Sequence, residues 1–201
     1  MIEAKVKKRL GDFLLDSELN DEGFICLMGK NGSGKSSLLN VIAGIYKPDE
    51  GHVKIGSESI TNLPQELKEV VLVAPDSFLP SFSVEKHLLW GAKLRGKIVK
   101  DDTLVEVKKI FGINFQGTVS RLSVGMRERV SLATALLAAP RAILVDEAFG
   151  NIDNRIEFIN AYREYTKNSK IDVIFATQNT EDSKCADHLH QMSEGRSSKI
   201  F

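Results

Sequence analysis

Neither sign of charge predominates in this sequence: lysine plus arginine number 27, aspartate plus glutamate 27, and the formal charge is zero. Such balance lacks the basic excess of a general nucleic-acid binder, so no nucleic acid is expected as a partner. No apolar run approaches the ~18 residues that span a bilayer. Met1-Ile2-Glu3-Ala4-Lys5 lacks the apolar centre of a signal peptide. Cysteine is scarce. Cys26 and Cys185 stand far apart, form no metal-ligand pattern and read as packing residues in a reducing compartment. The four histidines, His52, His87, His188 and His190, show no metal spacing with nearby acids. Internal repeats, low-complexity tracts and a long coiled-coil insert are missing too. The expectation is a soluble, cytoplasmic chain of 201 residues, long enough to bury a substantial core.

What is present begins with period-two alternation over residues 2–8, the mark of a half-buried strand. A second strand is expected over Phe13–Leu19, then a turn at Asn20-Asp21-Glu22-Gly23. Phe24–Met28 is an apolar run suited to a buried strand, and Ser36–Ala43 reads as a helix stopped by Gly44. Short strands follow at Val53–Ile55 and Val70–Val73. The middle then changes character. Two helices are predicted between Ser83 and Phe111, N-capped by Ser83 and by Asp101 or Asp102, with Gly112 as a stop. A third runs from Ser123 to Ala139, halted before Pro140. Strands return at Ala142–Val145 and Val173–Ala176, with a helix from about Asp153 to Asn168 between them. A last short helix and the segment His188–Phe201 close the chain.

Between the strand at Phe24–Met28 and its following helix lies Gly29-Lys30-Asn31-Gly32-Ser33-Gly34-Lys35-Ser36. It fits G-x-x-x-x-G-K-[ST], the phosphate-binding loop of P-loop NTPases. Glycines let the backbone wrap around phosphates, and successive N–H groups with the helix N-terminus form a positive nest that extends to Ser37. Lys35 is placed to reach the β/γ-phosphates, and the Ser36 hydroxyl to ligand Mg²⁺. The apolar strand ending in Asp146-Glu147 supplies two acids. A strand-end Asp146 beside such a loop can hold the metal, and Glu147 can orient or deprotonate an attacking water. No N-K-x-D motif is present to read guanine, which disfavours a GTPase.

The discriminating stretch is Leu122-Ser123-Val124-Gly125-Met126-Arg127-Glu128-Arg129-Val130-Ser131-Leu132-Ala133. Here the chain resembles the ATP-binding cassette (ABC) ATPase family, which carries L-S-G-G-Q ahead of a helix and then its strand-end acids. Leu122 precedes Asp146 by 24 residues, as in that pattern. Asp153, in Gly150-Asn151-Ile152-Asp153, falls where the family keeps the aspartate of its D-loop. The resemblance covers nearly the whole chain. It implies an α/β fold: a mixed-sheet core with an N-terminal antiparallel β portion and an inserted α-helical lobe. Residues 1–201 would form one ABC ATPase domain, with 1–75 and 140–201 as core and 76–139 as lobe. The helix start at Ser123 and Gly125 would bind the γ-phosphate held by a second cassette, identical or not, so ATP would sit between two head-to-tail subunits.

The resemblance has departures. Val124 replaces the family's first glycine and Met126 its glutamine. Asp76 stands where the family has the Q-loop glutamine, which touches Mg²⁺, and Gln178 where it has the γ-phosphate histidine. A glutamine amide donates a hydrogen bond but does not titrate near neutrality. Ala148 replaces the proline after the catalytic glutamate. Glu147 is intact, so a slow but competent ATPase is expected. The adenine-stacking aromatic has no clear match; Phe13 is a candidate that also reads as a core residue. Phe78, Leu79 and Trp90 occupy the region where the family docks its integral membrane permease subunits. The implied function is the ATP-hydrolysing subunit of an ABC transporter, peripheral at the inner face of the cell membrane. Alternatives are a soluble non-transport ABC ATPase and a regulatory cassette with little turnover. The sequence ends soon after the core, so the C-terminal regulatory domain of some importers is not expected. Lys8-Arg9-Leu10-Gly11-Asp12-Phe13 resembles molybdate/tungstate importer ATPases, too short a stretch to name a substrate.

Overall fold

Alternation at the start of the chain builds the first layer. Ile2, Ala4 and Val6 are buried and Lys5 and Lys7 exposed, so β1 (Ile2–Leu10) keeps one face wet. In the computed structural model, which describes residues 1–201, β1 pairs antiparallel with β2 (Phe13–Asp21) across the Gly11 turn. The turn expected at residues 20–23 is shorter, because β2 runs through Asp21 opposite Ile2. The third strand, β3 (Phe24–Met28), leaves this sheet and leads through the phosphate loop into α1 (Lys35–Ala43). β4 (Glu50–Ile55) then returns to pair with β1, and a two-residue strand, β5 (Glu58–Ser59), ends the first sheet in the order β2-β1-β4-β5.

The second sheet is assembled from distant segments. After β6 (Val70–Val73) come α2 (Val84–Leu94), α3 (Asp101–Ile110) and α4 (Val124–Leu137). Then follow β7 (Ala142–Asp146), α5 (Arg155–Asn168), β8 (Asp172–Thr177), the one-turn α6 (Thr180–Ser183), β9 (His188–Ser193) and β10 (Arg196–Lys199). The order is β10-β9-β3-β8-β7-β6, parallel except for the β9–β10 hairpin. This is the mixed-sheet α/β architecture with an antiparallel portion that the sequence implies.

Both faces of the central strands are covered, which explains their unbroken apolar runs. Ile25, Leu27, Leu144 and Ile174 face α1 and the first sheet. Their alternates Phe24, Cys26, Val145 and Phe175 face α4 and α5. Deleting a ring such as Phe175 from this layer would cost about 3–5 kcal/mol. The helices α2 and α3 extend the same apolar cluster through Leu88, Val107 and Phe111. Close approach fixes the crossing of α2 with α4: a Cβ at Gly91 would stand 3.1 Å from the Thr134 carbonyl oxygen.

One helix cap needs correction. The N-cap of α3 is Lys100, with no side-chain bond, while Asp101 and Asp102 lie inside the first turn, where they favour the helix dipole instead. Within the closing segment His188–Phe201, to which the sequence assigns no element, lie β9 and β10. Ser83 and Ser123 do cap α2 and α4, accepting from the Lys86 and Met126 N–H groups, each at 3.2 Å.

Candidate nucleotide site

Three adjacent parallel strands deliver the site at their C-terminal ends, where a sheet of this kind opens to ligands. β3 ends at Met28, β7 at Asp146 and β8 at Thr177. Backbone bonds stitch the three exits together: Gly29 N–H donates to the Thr177 carbonyl at 3.3 Å, and Glu147 N–H to the Ala176 carbonyl at 3.2 Å. The phosphate loop is glycine-bound for steric reasons. A Cβ on Gly29 would lie 2.4 Å from the Met192 carbonyl oxygen. Gly34 has φ 105°, and a Cβ there would press within 2.8 Å of the Phe13 ring.

Lys35 is 4% exposed. Its Nζ donates to the Gly29 and Lys30 carbonyls at 2.9 and 3.2 Å and lies 3.3 Å from Glu147 Oε1. A buried ammonium held by carbonyls of the loop is ready to exchange them for phosphate oxygens. Asn31, Gly32, Lys35, Ser36 and Ser37 line a pocket of about 500 Å³, closed on the far side by Pro75, Asp146 and Glu147. Phe13 stands at its rim, half-buried, with Leu10 beside it. Ser33 turns its hydroxyl inward, buried and unpartnered.

Asp146 tests whether these residues suit a divalent cation. Burial pushes its carboxyl pKa up, Glu147 adds to that, and a hydrogen bond from Ser36 opposes it. Its Oδ1 is buried with no partner. An orphaned carboxylate oxygen next to a serine hydroxyl is a pair of hard oxygen donors, the type that Mg²⁺ takes together with substrate phosphates. The residues fit the ion. Asp76 is not brought to this pocket. Ser77 N–H bonds the Ala74 carbonyl at 3.0 Å and Ser77 Oγ accepts the Ala74 N–H at 2.9 Å, a turn that leaves Pro75 facing the phosphate side. Asp76 is exposed and lines a neighbouring groove of about 480 Å³ with Phe78, Leu79 and Trp90.

Glu147 takes φ 57°, a left-handed conformation rare outside glycine that costs of order 1–3 kcal/mol. That turn aims its carboxylate back over the loop. Gln178 meets it there: the Gln178 amide donates to Glu147 Oε1 at 3.2 Å and to Asn31 Oδ1 at 2.7 Å. Thus Lys35, Ser36, Asp146, Glu147 and Gln178 converge. Ser123, Gly125 and Asp153 do not. Ser123 is exposed at the head of α4, and Asp153 is exposed beyond Glu147.

Several polar residues around the site were not singled out from the sequence. Asp182, 3% exposed, accepts from Thr177 Oγ1 at 2.8 Å and from Arg155 Nε at 2.7 Å. Glu128 binds Asn151 twice. A carboxylate on the buried stripe of α4, in line with Gly125 and Leu132, was the available signal for Glu128. Nothing local distinguishes Asp182 from its neighbour Glu181.

A Gly-rich strand-to-helix loop with a buried lysine and a strand-end aspartate defines a P-loop nucleoside-triphosphate site. The particular family follows from comparison. The family model described as ABC transporter matches residues 15–150. Molybdate/tungstate import ATP-binding protein WtpC of Archaeoglobus fulgidus is 31% identical over 202 residues, covering 97% of this chain and 84% of that protein. Molybdenum import ATP-binding protein ModC of Paramagnetospirillum magneticum is 29% identical over 209 residues, and the chain spans 58% of its length. A dimeric bacterial ABC transporter cassette superposes with a TM-score of 0.82 at 21% identity, covering 100% of this chain and 99% of that one. A likeness at that identity speaks for the fold. The chain belongs to the ABC transporter family, as its ATP-binding ATPase part, and Mg·ATP is its cofactor. No helix is long and apolar enough to cross a membrane.

Proposed function

We propose that this chain is the ATP-hydrolysing subunit of an importer for a molybdate-like oxyanion, acting at the cytoplasmic face as one of two cassettes that close on ATP. The observation that carries the reading is a divided site. Lys35, Asp146 and Glu147 share one pocket, while the helix start at exposed Ser123 and partly buried Gly125 is not among the residues that line it and is left for a second copy. The names of WtpC and ModC supply the cargo class. The opening residues Lys8–Phe13 point the same way.

In this reading Lys35 leaves the Gly29 and Lys30 carbonyls for the β- and γ-phosphate oxygens. The loop N–H groups through Ser37 hold the remaining charge. Ser36 and Asp146 hold Mg²⁺, which when bound draws charge from the phosphate oxygens. Glu147 orients a water and takes its proton as the water oxygen bonds to the γ-phosphorus and the link to the β–γ bridging oxygen breaks. Gln178 turns its amide from Asn31 to a γ-oxygen, and Phe13 stacks on adenine. Residues 1–201 act as one domain, with 76–139 as the lobe. The groove beside Asp76, Phe78 and Trp90 receives a segment of the membrane permease, so Asp76 serves partner sensing more than metal binding.

The test is ATP turnover and ATP-dependent dimerisation of the wild type and of Glu147→Gln. Loss of the base lowers kcat by about 10²–10⁴-fold and traps an ATP-bound dimer. A wild type no faster than the variant favours the second reading, a regulatory cassette, which Gln178 in the histidine position supports.

A further inference from the structure

The first two turns of α4 grip the loop that follows Glu147. Glu128 is 1% exposed. Its Oε2 accepts the Asn151 backbone N–H at 3.0 Å, and its Oε1 accepts the Asn151 side-chain amide at 2.7 Å. Contacts flank this pair on both sides. A Cβ on Gly125 would stand 2.3 Å from the Asn151 carbonyl oxygen, so helix and loop backbones touch. Arg129 donates from Nη2 to the Asp153 carbonyl at 2.7 Å and from Nη1 to the Phe111 carbonyl at 3.0 Å.

Burying a carboxylate is costly. Burial pushes the Glu128 pKa up, the two Asn151 bonds oppose it, and only Arg127 offsets the charge from farther away. Packing alone would be served by leucine or methionine. Glutamine would keep an acceptor for the backbone donor but lose the charge that strengthens both bonds. A carboxylate offers a separate charged oxygen to each donor at once.

We propose that Glu128 is a positioning residue that locks the Gly150–Asp153 loop to the helix headed by Ser123, so that both advance as one body when two cassettes close. This rests on the two-cassette reading above. Ser123 and Asp153 are exposed on the two sides of the clamp. A tie between them makes capture of ATP by the helix start and placement of Asp153 a single event. Without it the helix still forms, and each chain still binds ATP at Lys35, but the loop is free to misplace itself.

The experiment compares wild type, Glu128→Gln, and the double variant Glu128→Gln with Asn151→Asp, which exchanges donor and acceptor across the side-chain contact. Steady-state ATP hydrolysis is measured beside amide exchange at residues 150–153. Glu128→Gln is expected to lower kcat about tenfold, as small misplacements do, with KM for ATP within about twofold because the phosphate loop is untouched. Exchange at Asn151 quickens while β3 and β7 keep their protection. The double variant recovers most of both losses. An unchanged kcat in Glu128→Gln overturns the proposal, as does a double variant no better than the single, or unchanged exchange at Asn151. Failure of the two-cassette reading shows separately, as the absence of an ATP dimer in Glu147→Gln.

Discussion

Gln178 is the residue on which speed turns. Its amide is shared between Asn31 Oδ1 and Glu147 Oε1, both acceptors, so it ties the phosphate loop to the proposed base. An imidazole there can carry a positive charge toward the γ-oxygens, and charge-assisted bonds are roughly twice as strong as neutral ones. Gln178→His is therefore expected to raise kcat about tenfold, the effect of ~1.4 kcal/mol at the barrier. An equal or lower rate in a steady-state assay would mean that another group contacts the γ-phosphate. Phe13 allows a second test. It touches Gly34 and lines the pocket rim, and a base stacked on an aromatic ring is worth about 1–3 kcal/mol. Phe13→Ala should raise KM for ATP about tenfold and leave kcat nearly unchanged. If KM for ATP and for inorganic triphosphate rise together, the ring supports the loop instead of stacking on adenine.

At the scale of elements, α5 and α6 are joined to the strand ends by Asp182. Its carboxylate ties Thr177, one residue before Gln178, to Arg155, whose Nη1 also reaches the Gly150 carbonyl at 3.5 Å. Arg155 is partly exposed and can return to water, whereas the Thr177 hydroxyl cannot. Asp182→Ala is expected to cost about 3 kcal/mol, from two hydrogen bonds to a charged group, or roughly 6–12 °C in Tm. Thermal unfolding followed by circular dichroism reads this, and a shift under 2 °C would show that the pair contributes nothing. That network was invisible in the sequence, because Thr177, Asp182 and Arg155 meet only after α5 packs beside β8. The elements that were legible carry their signals locally. β3 and α1 are an apolar run, a glycine loop and a helix stop at Gly44; β7 is an apolar run halted by two acids. β9 escaped because His-Leu-His-Gln-Met-Ser is as polar as a loop, and its pairing with β3, whose partners lie 163 residues earlier (Ile25 opposite His188), makes it a strand. The same contrast separates the site. Lys35, Ser36, Asp146 and Glu147 were legible from spacing, while the aim of Asp76 depends on the turn that Ser77 closes.

At the scale of the whole molecule, the β9–β10 hairpin fastens the two sheets together and backs the phosphate loop. Gly195 N–H donates to the Ser33 carbonyl at 2.9 Å, and the Gly195 carbonyl accepts from Asp16 N–H and Ser17 Oγ, each at 2.8 Å. At the opposite end of β2, Asp21 receives Nε2 of His190 at 2.7 Å and the Lys199 ammonium. Burial alone would raise the Asp21 pKa, but the bonds from Lys199 and His190 outweigh it and hold the carboxyl below its usual range. A carboxyl lowered by folding contributes stability above its unfolded pKa of about 3.9 and loses it as pH falls through the folded value. Asp21→Asn should thus be less stable than the wild type by about 1–3 kcal/mol at pH 7, with the gap closing below about pH 4. Urea midpoints for both proteins across that range measure it. A gap that persists undiminished at low pH would assign the loss to packing at the sheet junction rather than to charge. Because Gly195 holds Ser33, loosening the hairpin in Asp21→Asn should also raise the Kd for ATP at neutral pH, which an equilibrium titration of both proteins reads, and an unchanged Kd would show that the phosphate loop does not depend on this support.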